Sequence, residues 1–364
     1  MGEPHGIGIV GLGVISGQYL ETLGTHPGVR ITATADLDAG RAAAVAERFP
    51  GCRALSVAEL VADPEVRTVL NLTVPAAHAD VASAAISSGK NVFGEKPLAA
   101  TLGAARAVMA LPGPGWVGCA PDTVLGTGIQ TARALVDAGE IGRPVAAVAT
   151  WVSSGHEAWH PHPDFYYREG GGPLLDMGPY YLTSLFHLLG PVARVTGASS
   201  RPRATRRIAS GPRAGEEIPV EVDTHVTGVL EHVDGAVSTV TFSFDAAATD
   251  AAPMEVHGET GSLSVPDPNH FAGEVRLRRP GDPAWTPVGA QAGYVDAGRG
   301  IGLLDFIGGG RRADGAIALH VLEIMTALMD SAAQGRRIDL STTAIRPPLV
   351  PLTAAAQWRR AVSG

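Results

Sequence analysis

The feature that most constrains this chain is the alternation of its first 120 residues between short apolar runs and stretches of helical period. Parallel strands cannot be joined by a tight hairpin and need a long, usually helical crossover, so the alternation predicts an α/β unit built on a parallel sheet. Strands are expected from Ile7 to Gly11, Arg30 to Ala35, Thr68 to Thr73, Asn91 to Phe93 and Trp116 to Cys119. Between them, Ala39 to Phe49 and His78 to Ser88 read as helices, each closed by Gly or Pro at Pro50-Gly51 or Gly89. A further helix is expected from about Thr123 to Ala138.

From Pro144 onward the pattern changes. Asp223 to His232 and Ala236 to Asp245 flank Asp234-Gly235, a hairpin signal, and Val240, Phe242 and Phe244 share one face of the second arm. Helices are expected from about Gly315 to Ala333 and near Thr353 to Val362. The expectation is therefore a doubly wound parallel sheet in residues 1–122, followed by an α+β domain in 123–364 with an open, mostly antiparallel sheet.

Charge and cysteine content exclude several functions. With 28 basic against 36 acidic residues the net charge is −8, which disfavours nucleic acid and anionic membranes, since both need Lys and Arg gathered on one face. The densest basic cluster, Arg201, Arg203, Arg206 and Arg207, is broken by Pro202 and reads as a solvated loop. Cys52 and Cys119 are the only cysteines, with no CxxC and no zinc spacing, so no disulfide framework or structural metal is implied. The first strand begins almost at Met1 and no apolar run is expected to reach membrane-spanning length, so the expected compartment is a reducing cytoplasm.

A glycine-rich turn opens the first unit. Gly8-Ile-Val-Gly11-Leu-Gly13-Val-Ile-Ser16-Gly17 follows the first strand and starts a helix. Gly11 and Gly13, with Val14 and Ile15 beside them, are thus placed to let a dinucleotide pyrophosphate approach backbone at a helix N-terminus. Asp36 ends the second strand 23 residues after Gly13, where a carboxylate accepts bonds from ribose hydroxyls and repels a 2′-phosphate. NAD is therefore favoured over NADP. Asp36 would equally cap the helix at Ala39, and Arg41 could turn toward a 2′-phosphate.

Of the 28 basic residues only Lys90 and Lys96 are lysines. A compact ammonium can orient an alcohol and stabilise a developing alkoxide, and burial can lower its pKa, neither of which suits a guanidinium. Lys90 sits in a Gly-Lys-Asn turn and reads as structural; Lys96 does not. Thr73-Val-Pro75-Ala-Ala-His78 and Gly94-Glu95-Lys96-Pro97 both return the chain to the carboxyl edge of the sheet, where doubly wound folds bind ligands.

Glu95-Lys96-Pro97 after such a unit, with Gly171-Gly-Pro-Leu-Leu-Asp176-Met-Gly-Pro-Tyr180 downstream, resembles the Gfo/Idh/MocA family of glucose-fructose oxidoreductase, inositol dehydrogenase and rhizopine-catabolism proteins. The resemblance covers nearly the whole chain and is strongest from residue 6 to about 190. It implies a Rossmann domain followed by an open-faced sheet that often mediates homodimers or homotetramers. It also implies that Thr73, Pro75, His78, Glu95, Lys96 and Trp159 contact NAD, with Glu95 a scaffold residue. Lys96 would hold the reacting oxygen, and Lys96, His160, Asp176 and Tyr180 would meet substrate. Catalysis falls to Lys96, Asp176 and Tyr180.

Asp176 and Tyr180 stand four apart in a helical pattern running to about Leu189, so they share a face. Most of the family carries histidine at the second position. Tyr180 resembles instead the branch containing glucose-fructose oxidoreductase and dimeric dihydrodiol dehydrogenase, with tyrosine as acid/base, which speaks against inositol dehydrogenase itself. His160 stands where many members carry arginine. His156, His160 and His162 invite a metal reading, but no carboxylate or cysteine of matching spacing accompanies them.

The expectation is an NAD-dependent oxidoreductase acting on a secondary alcohol or ketone of a sugar, sugar derivative or cyclitol, with no metal. Two rivals are an enzyme of the same family that recycles NAD within a net hydrolysis, elimination or epimerisation, and a non-catalytic dinucleotide-binding regulator. Free NADH separates the first from a dehydrogenase, and retention of Lys96, Asp176 and Tyr180 argues against the second.

Overall fold

The structure is a computed structural model that describes residues 3–360 of the 364. The first sheet contains β1 (His5–Val10), β2 (Val29–Ala35), β3 (Arg53–Ala54), β4 (Thr68–Asn71), β5 (Asn91–Gly94) and β6 (Val117–Cys119), in the order β3-β2-β1-β4-β5-β6 and parallel throughout. Around it lie α1 (Ser16–Leu23), α2 (Ala39–Ala46), α3 (Val57–Ala62), α4 (Pro75–Ser87) and α5 (Leu102–Met109). Strand order reverses between β1 and β4, which opens a crevice at their carboxyl ends. Strands buried on both faces read as continuous apolar runs, which is why β1, β2 and β4 were legible.

The expected helix from Thr123 to Ala138 is two pieces, a 3₁₀ turn at Asp122–Leu125 and α6 (Thr127–Asp137), because Gly126 is extended between them. The second sheet runs β16-β15-β14-β13-β7-β12-β11-β8-β17. Its members are β7 (Pro144–Val152), β8 (Val192–Ser200), β11 (His225–His232), β12 (Val237–Ser243), β13 (Met254–Gly258), β14 (Ser262–Val265), β15 (Val275–Arg278), β16 (Thr286–Val288) and β17 (Ile338–Asp339). Only the β7–β12 pair is parallel. A separate ribbon pairs β9 (Thr205–Arg207) with β10 (Glu217–Pro219).

The expected hairpin is present, with Thr227 opposite Thr241 in β11 and β12 and Gly235 in the turn at φ +90°. Val240, Phe242 and Phe244 are buried, as their spacing requires. α7 (Pro173–Leu189) packs over β7, β11 and β12, and Tyr181 meets Phe242 edge-on with centroids 5.7 Å apart.

The chain divides into two compact units, but not at a single crossing after residue 122. The first unit runs to Thr127 and also contains Ala292–Leu319 and the chain from Pro347 on. These segments join by isolated bridges, Gly118 to Asp314, Gly126 to Tyr294, Ala292 to Pro351 and Tyr294 to Thr353, and Trp116 stacks on Phe306 at 4.1 Å. Single bridges carry no periodicity, so this return was invisible in the pattern. Their helices are α8 (Ile301–Ile307), α9 (Gly315–Gln334), which continues into the second unit, and α10 (Ala355–Trp358). The expected last helix is shorter than its pattern, and Ala361 and Val362 lie outside the described residues.

Contrary to the expectation that no apolar run reaches membrane-spanning length, α9 is long and apolar enough, by length and composition, to cross a membrane. It nevertheless carries Glu323, whose carboxylate accepts bonds from Ser341 and Thr342, and it buries Ile324, Met325 and Leu328 at 1% exposure or less, as a core helix does.

Candidate active site

In the first unit the chain leaves β1 through Gly11 at φ +88°. A Cβ there would lie 2.7 Å from the carbonyl of Leu72 and the nitrogen of Thr73, so only glycine lets the turn press against the end of β4. At Gly13 an added Cβ would meet nothing within 4 Å, and Val14 is fully exposed, so the turn has an open side. No side chain caps α1, whose N-terminal region therefore suits an anion.

Asp36 is bound into this turn. Its Oδ2 accepts from the N–H of Leu12 at 2.7 Å and its Oδ1 from the N–H of Asp38 at 2.9 Å. It does not cap α2; Asp38 does, accepting from the N–H of Arg41 at 3.1 Å. The Arg41 guanidinium lies 3.5 Å from Asp36 and 3.7 Å from Asp38, held by two carboxylates that would repel a 2′-phosphate. Exposed Leu37 and Val74 add apolar surface at this edge. The cradle at Gly11, the carboxylate at Asp36 and the apolar rim fit a bound NAD.

The returns after β4 and β5 are held by side chains. Asn71 accepts from the Thr73 hydroxyl at 2.7 Å and donates to the carbonyl of His78 at 3.0 Å. His78, expected to contact cofactor, is only 2% exposed, and its ring nitrogens lie 2.6 Å from the carbonyl of Pro97 and 2.9 Å from that of Thr73. It therefore clamps the two returns together. Pro75 is exposed at the first turn of α4, where its missing N–H costs nothing.

Glu95 is likewise a scaffold residue: it accepts from the Tyr19 hydroxyl at 2.8 Å and from the N–H of Lys96 at 3.0 Å. That grip fixes the main chain from which the half-buried Lys96 side chain extends. Burial, with Glu95 next in weight, pushes the Tyr19 phenol far above its ordinary range. Fully buried Asp122, pushed up to about 6 by burial, accepts from the N–H groups of Gly300 and Gly302 and pins the start of α8. Lys90 donates to the carbonyl of Asp63 at 2.7 Å, a structural role.

In the second unit Asp176 lies in the first turn of α7, its N–H bonded to the carbonyl of Gly172, and buried Tyr180 follows one turn later. Pro179 lies inside the helix, so the carbonyl of Leu175 lacks its helical N–H donor. Asp176 has an unforeseen partner: the Nε2 of His156 lies 2.8 Å from its Oδ2. His156 is ringed by Tyr166, Phe244 and Trp159, with centroids 4.2, 4.8 and 5.2 Å away. Trp159 is 59% exposed, and half-buried His160 stands edge-on to it at 5.3 Å. Burial, and then the neighbouring His156, lower the pKa of His160 and favour its neutral form. Among the described residues no group of three His, Cys, Asp or Glu side chains is arranged to hold a metal.

Arg206 is not in a solvated loop. It is 3% exposed in β9, binds Glu157 at 2.9 Å, contacts Asp245 and donates to the carbonyl of Phe244 at 3.1 Å. Glu157 also accepts from Tyr167, whose phenol is pushed up by burial and then by that bond. The ribbon of β9 and β10 thus latches the segment 156–167. Sequence spacing could not find these partners, since Arg206 lies 49 residues from Glu157.

A parallel sheet ordered 3-2-1-4-5-6, with an open glycine turn and a strand-end aspartate, defines a dinucleotide-binding α/β protein. Residues 5–112 match the family model described as "Oxidoreductase family, NAD-binding Rossmann fold", and residues 129–264 match the GFO/IDH/MocA C-terminal domain. The chain belongs to the GFO/IDH/MocA family. It is 30% identical over 269 residues to the 1,5-anhydro-D-fructose reductase of Ensifer adhaerens, covering 70% of this chain and 74% of that protein. It is 34% identical over 148 residues to the inositol 2-dehydrogenase of Salmonella paratyphi B, covering 38% of this chain and 43% of that one. Among solved structures, an NAD binding oxidoreductase from Klebsiella pneumoniae shares the fold with a TM-score of 0.79 at 22% identity, over 93% of this chain and 100% of that one.

Proposed function

We propose that this protein moves a hydride between NAD and a secondary alcohol or ketone of a sugar, sugar derivative or cyclitol. The observation that carries the reading is the placement of Lys96. Its main chain is held by Glu95 at the carboxyl end of β5, at the ligand-binding edge of an NAD-binding sheet. The names of the relatives, a sugar reductase and a cyclitol dehydrogenase, support the substrate class.

Gly11, Gly13, Val14, Ile15 and Asp36 hold the cofactor, with Thr73, Pro75 and Trp159 contributing. When bound, the nicotinamide takes up or gives the hydride. The chain's own residues do the rest. Lys96 holds the reacting oxygen and stabilises charge that develops on it. Tyr180 gives or takes the hydroxyl proton, and Asp176 tunes that transfer, so the titration belongs to the group as a whole. His160, whose neutral form burial favours, and the aromatic side chains Tyr166 and Trp159 serve recognition of hydroxyls and sugar faces.

The test is absorbance at 340 nm with NAD and a panel of pyranoses, sugar acids and cyclitols, run beside Lys96→Ala. A substrate-dependent rise is expected, reduced by about 10²–10³-fold in the variant, the usual cost of one such donor. A flat trace despite NAD binding by calorimetry would remove the simple dehydrogenase and leave internal recycling or regulation.

A homo-oligomer through the second sheet belongs to the same reading. The face away from α7 places Val148 beside Thr239, and Thr239 beside Val229, and Val148, Val229 and Val237 are about 40% exposed. Sedimentation of Val229→Lys against wild type should show dissociation. A reducing cytoplasm suits Cys52 and Cys119, which are unpaired.

A further inference from the structure

His156 has no part in the proposed hydride transfer, yet it is buried and bonded to Asp176. The chain reaches it through Gly155 at φ +104°, where a Cβ would lie 2.3 Å from Glu157 Oε2 and 2.6 Å from the Tyr167 hydroxyl. Only glycine allows that turn beside the Glu157–Tyr167 contact. The next residue, Glu157, is held by Arg206 and Tyr167, so His156 is anchored on both sides by buried groups. The residue is 7% exposed, and its ring is enclosed by Trp151, Trp159, Tyr166 and Phe244.

The two ring nitrogens differ. Nε2 faces Asp176 Oδ2 at 2.8 Å, while buried Nδ1 has no hydrogen-bond partner. A carboxylate can only accept, so the proton sits on Nε2. The imidazole therefore offers Asp176 one directed donor, Nε2–H.

We propose that His156 is a positioning residue for Asp176, orienting its carboxylate and favouring its ionised form through the Nε2–H donor. The proposal rests on the reading that Asp176 serves proton transfer. One bond from a rigid ring stops rotation of the carboxylate about Cβ–Cγ, and a donor to the charged form lowers a carboxylate's affinity for protons. Besides Asp176 on α7, the titratable groups facing His156 are Tyr166 and His160, while Glu157 turns away toward Arg206 and Tyr167. Trp151 of β7 and Phe244, just beyond β12, contribute only apolar surface.

The test compares His156→Phe, which keeps the ring and loses the donor, with His156→Gln, whose amide reaches the same place. His156→Asn, too short to reach Oδ2, repeats the loss without a large ring. Two readouts are taken: kcat on the substrate found by the panel, and the carboxyl ¹³C titration of Asp176 without substrate, assigned by its disappearance in Asp176→Asn. The Phe and Asn variants are expected to lose about 10–100-fold in kcat, in line with a hydrogen bond to a charged group, with NADH affinity unchanged. In both, the Asp176 midpoint and the acid limb of the kcat profile move to higher pH, and Gln restores both. An unchanged Asp176 midpoint in Phe and Asn overturns the proposal. If wild type turns over nothing on the panel, the functional reading fails and the carboxyl titration alone supports or overturns the role of His156.

Discussion

The carboxyl edge of the first sheet and the segment around α7 in the second unit are built on different principles. At the first, the points gripped are main-chain groups: Gly11 presses against Leu72 and Thr73, and the side chains of Asp36 and Glu95 hold the N–H groups of Leu12 and Lys96. Around α7, side chains grip one another: Arg206 holds Glu157, and His156 holds Asp176. The first kind of site needs particular residues at the ends of strands, which the strand pattern marks. The second needs only that a partner arrive, from anywhere in the chain. Local rules therefore describe the cofactor edge well and the other site poorly.

The contrast predicts different failures for the two regions. The largest effect is expected from Arg206→Met, which leaves buried Glu157 without its cation and half-buried Asp245 with only Arg203, 4.0 Å away. Breaking one side of a buried pair costs about 3–5 kcal/mol, so calorimetry should show a clear fall in Tm while the variant that remains folded still binds NAD. A loss below about 1 kcal/mol, the scale of a surface pair, would mean that the latch is not structural and would break the comparison.

Gly11→Ala should do the reverse. Strain at positive φ, added to the 2.7 Å approach to Leu72 and Thr73, is expected to cost about 1–3 kcal/mol and to fall chiefly on NAD affinity by isothermal calorimetry. Equal binding by the variant would show that the turn does not shape the cofactor site. Asp36→Asn should have the smallest effect. It keeps the shape and removes the charge, so NAD should weaken by roughly tenfold or less while NADP gains, read as the ratio of the two affinities. An unchanged ratio would move cofactor choice to Arg41 and Asp38.

How much was legible follows from the same distinction. The two sides of Asp36's role were open in the sequence, and the structure decides one: Asp38 takes the cap of α2. His78 was expected to contact the cofactor, and both its ring nitrogens turn to carbonyls, a detail set by the return after β5. His156 stood out only as one of three nearby histidines, and its true partner lies on another element. Arg206 read as solvated because its cluster is interrupted by Pro202, and burial of a cation depends on where distant carboxylates end up.

By itself the sequence determined five strands of the first sheet, the hairpin of the second and several of the helices, because strand and helix periods, glycine at tight approaches and a lysine in an arginine-rich chain are local properties. It also placed Asp176 and Tyr180 on one helical face, since that follows from a 3.6-residue turn alone. Only the tertiary structure decided that residues 292–319 return to the first unit, that Arg206 is buried, and that His156 meets Asp176. Those outcomes depend on closing loops of tens to hundreds of residues, and each is selected by the sum of packing around it, which no local pattern encodes.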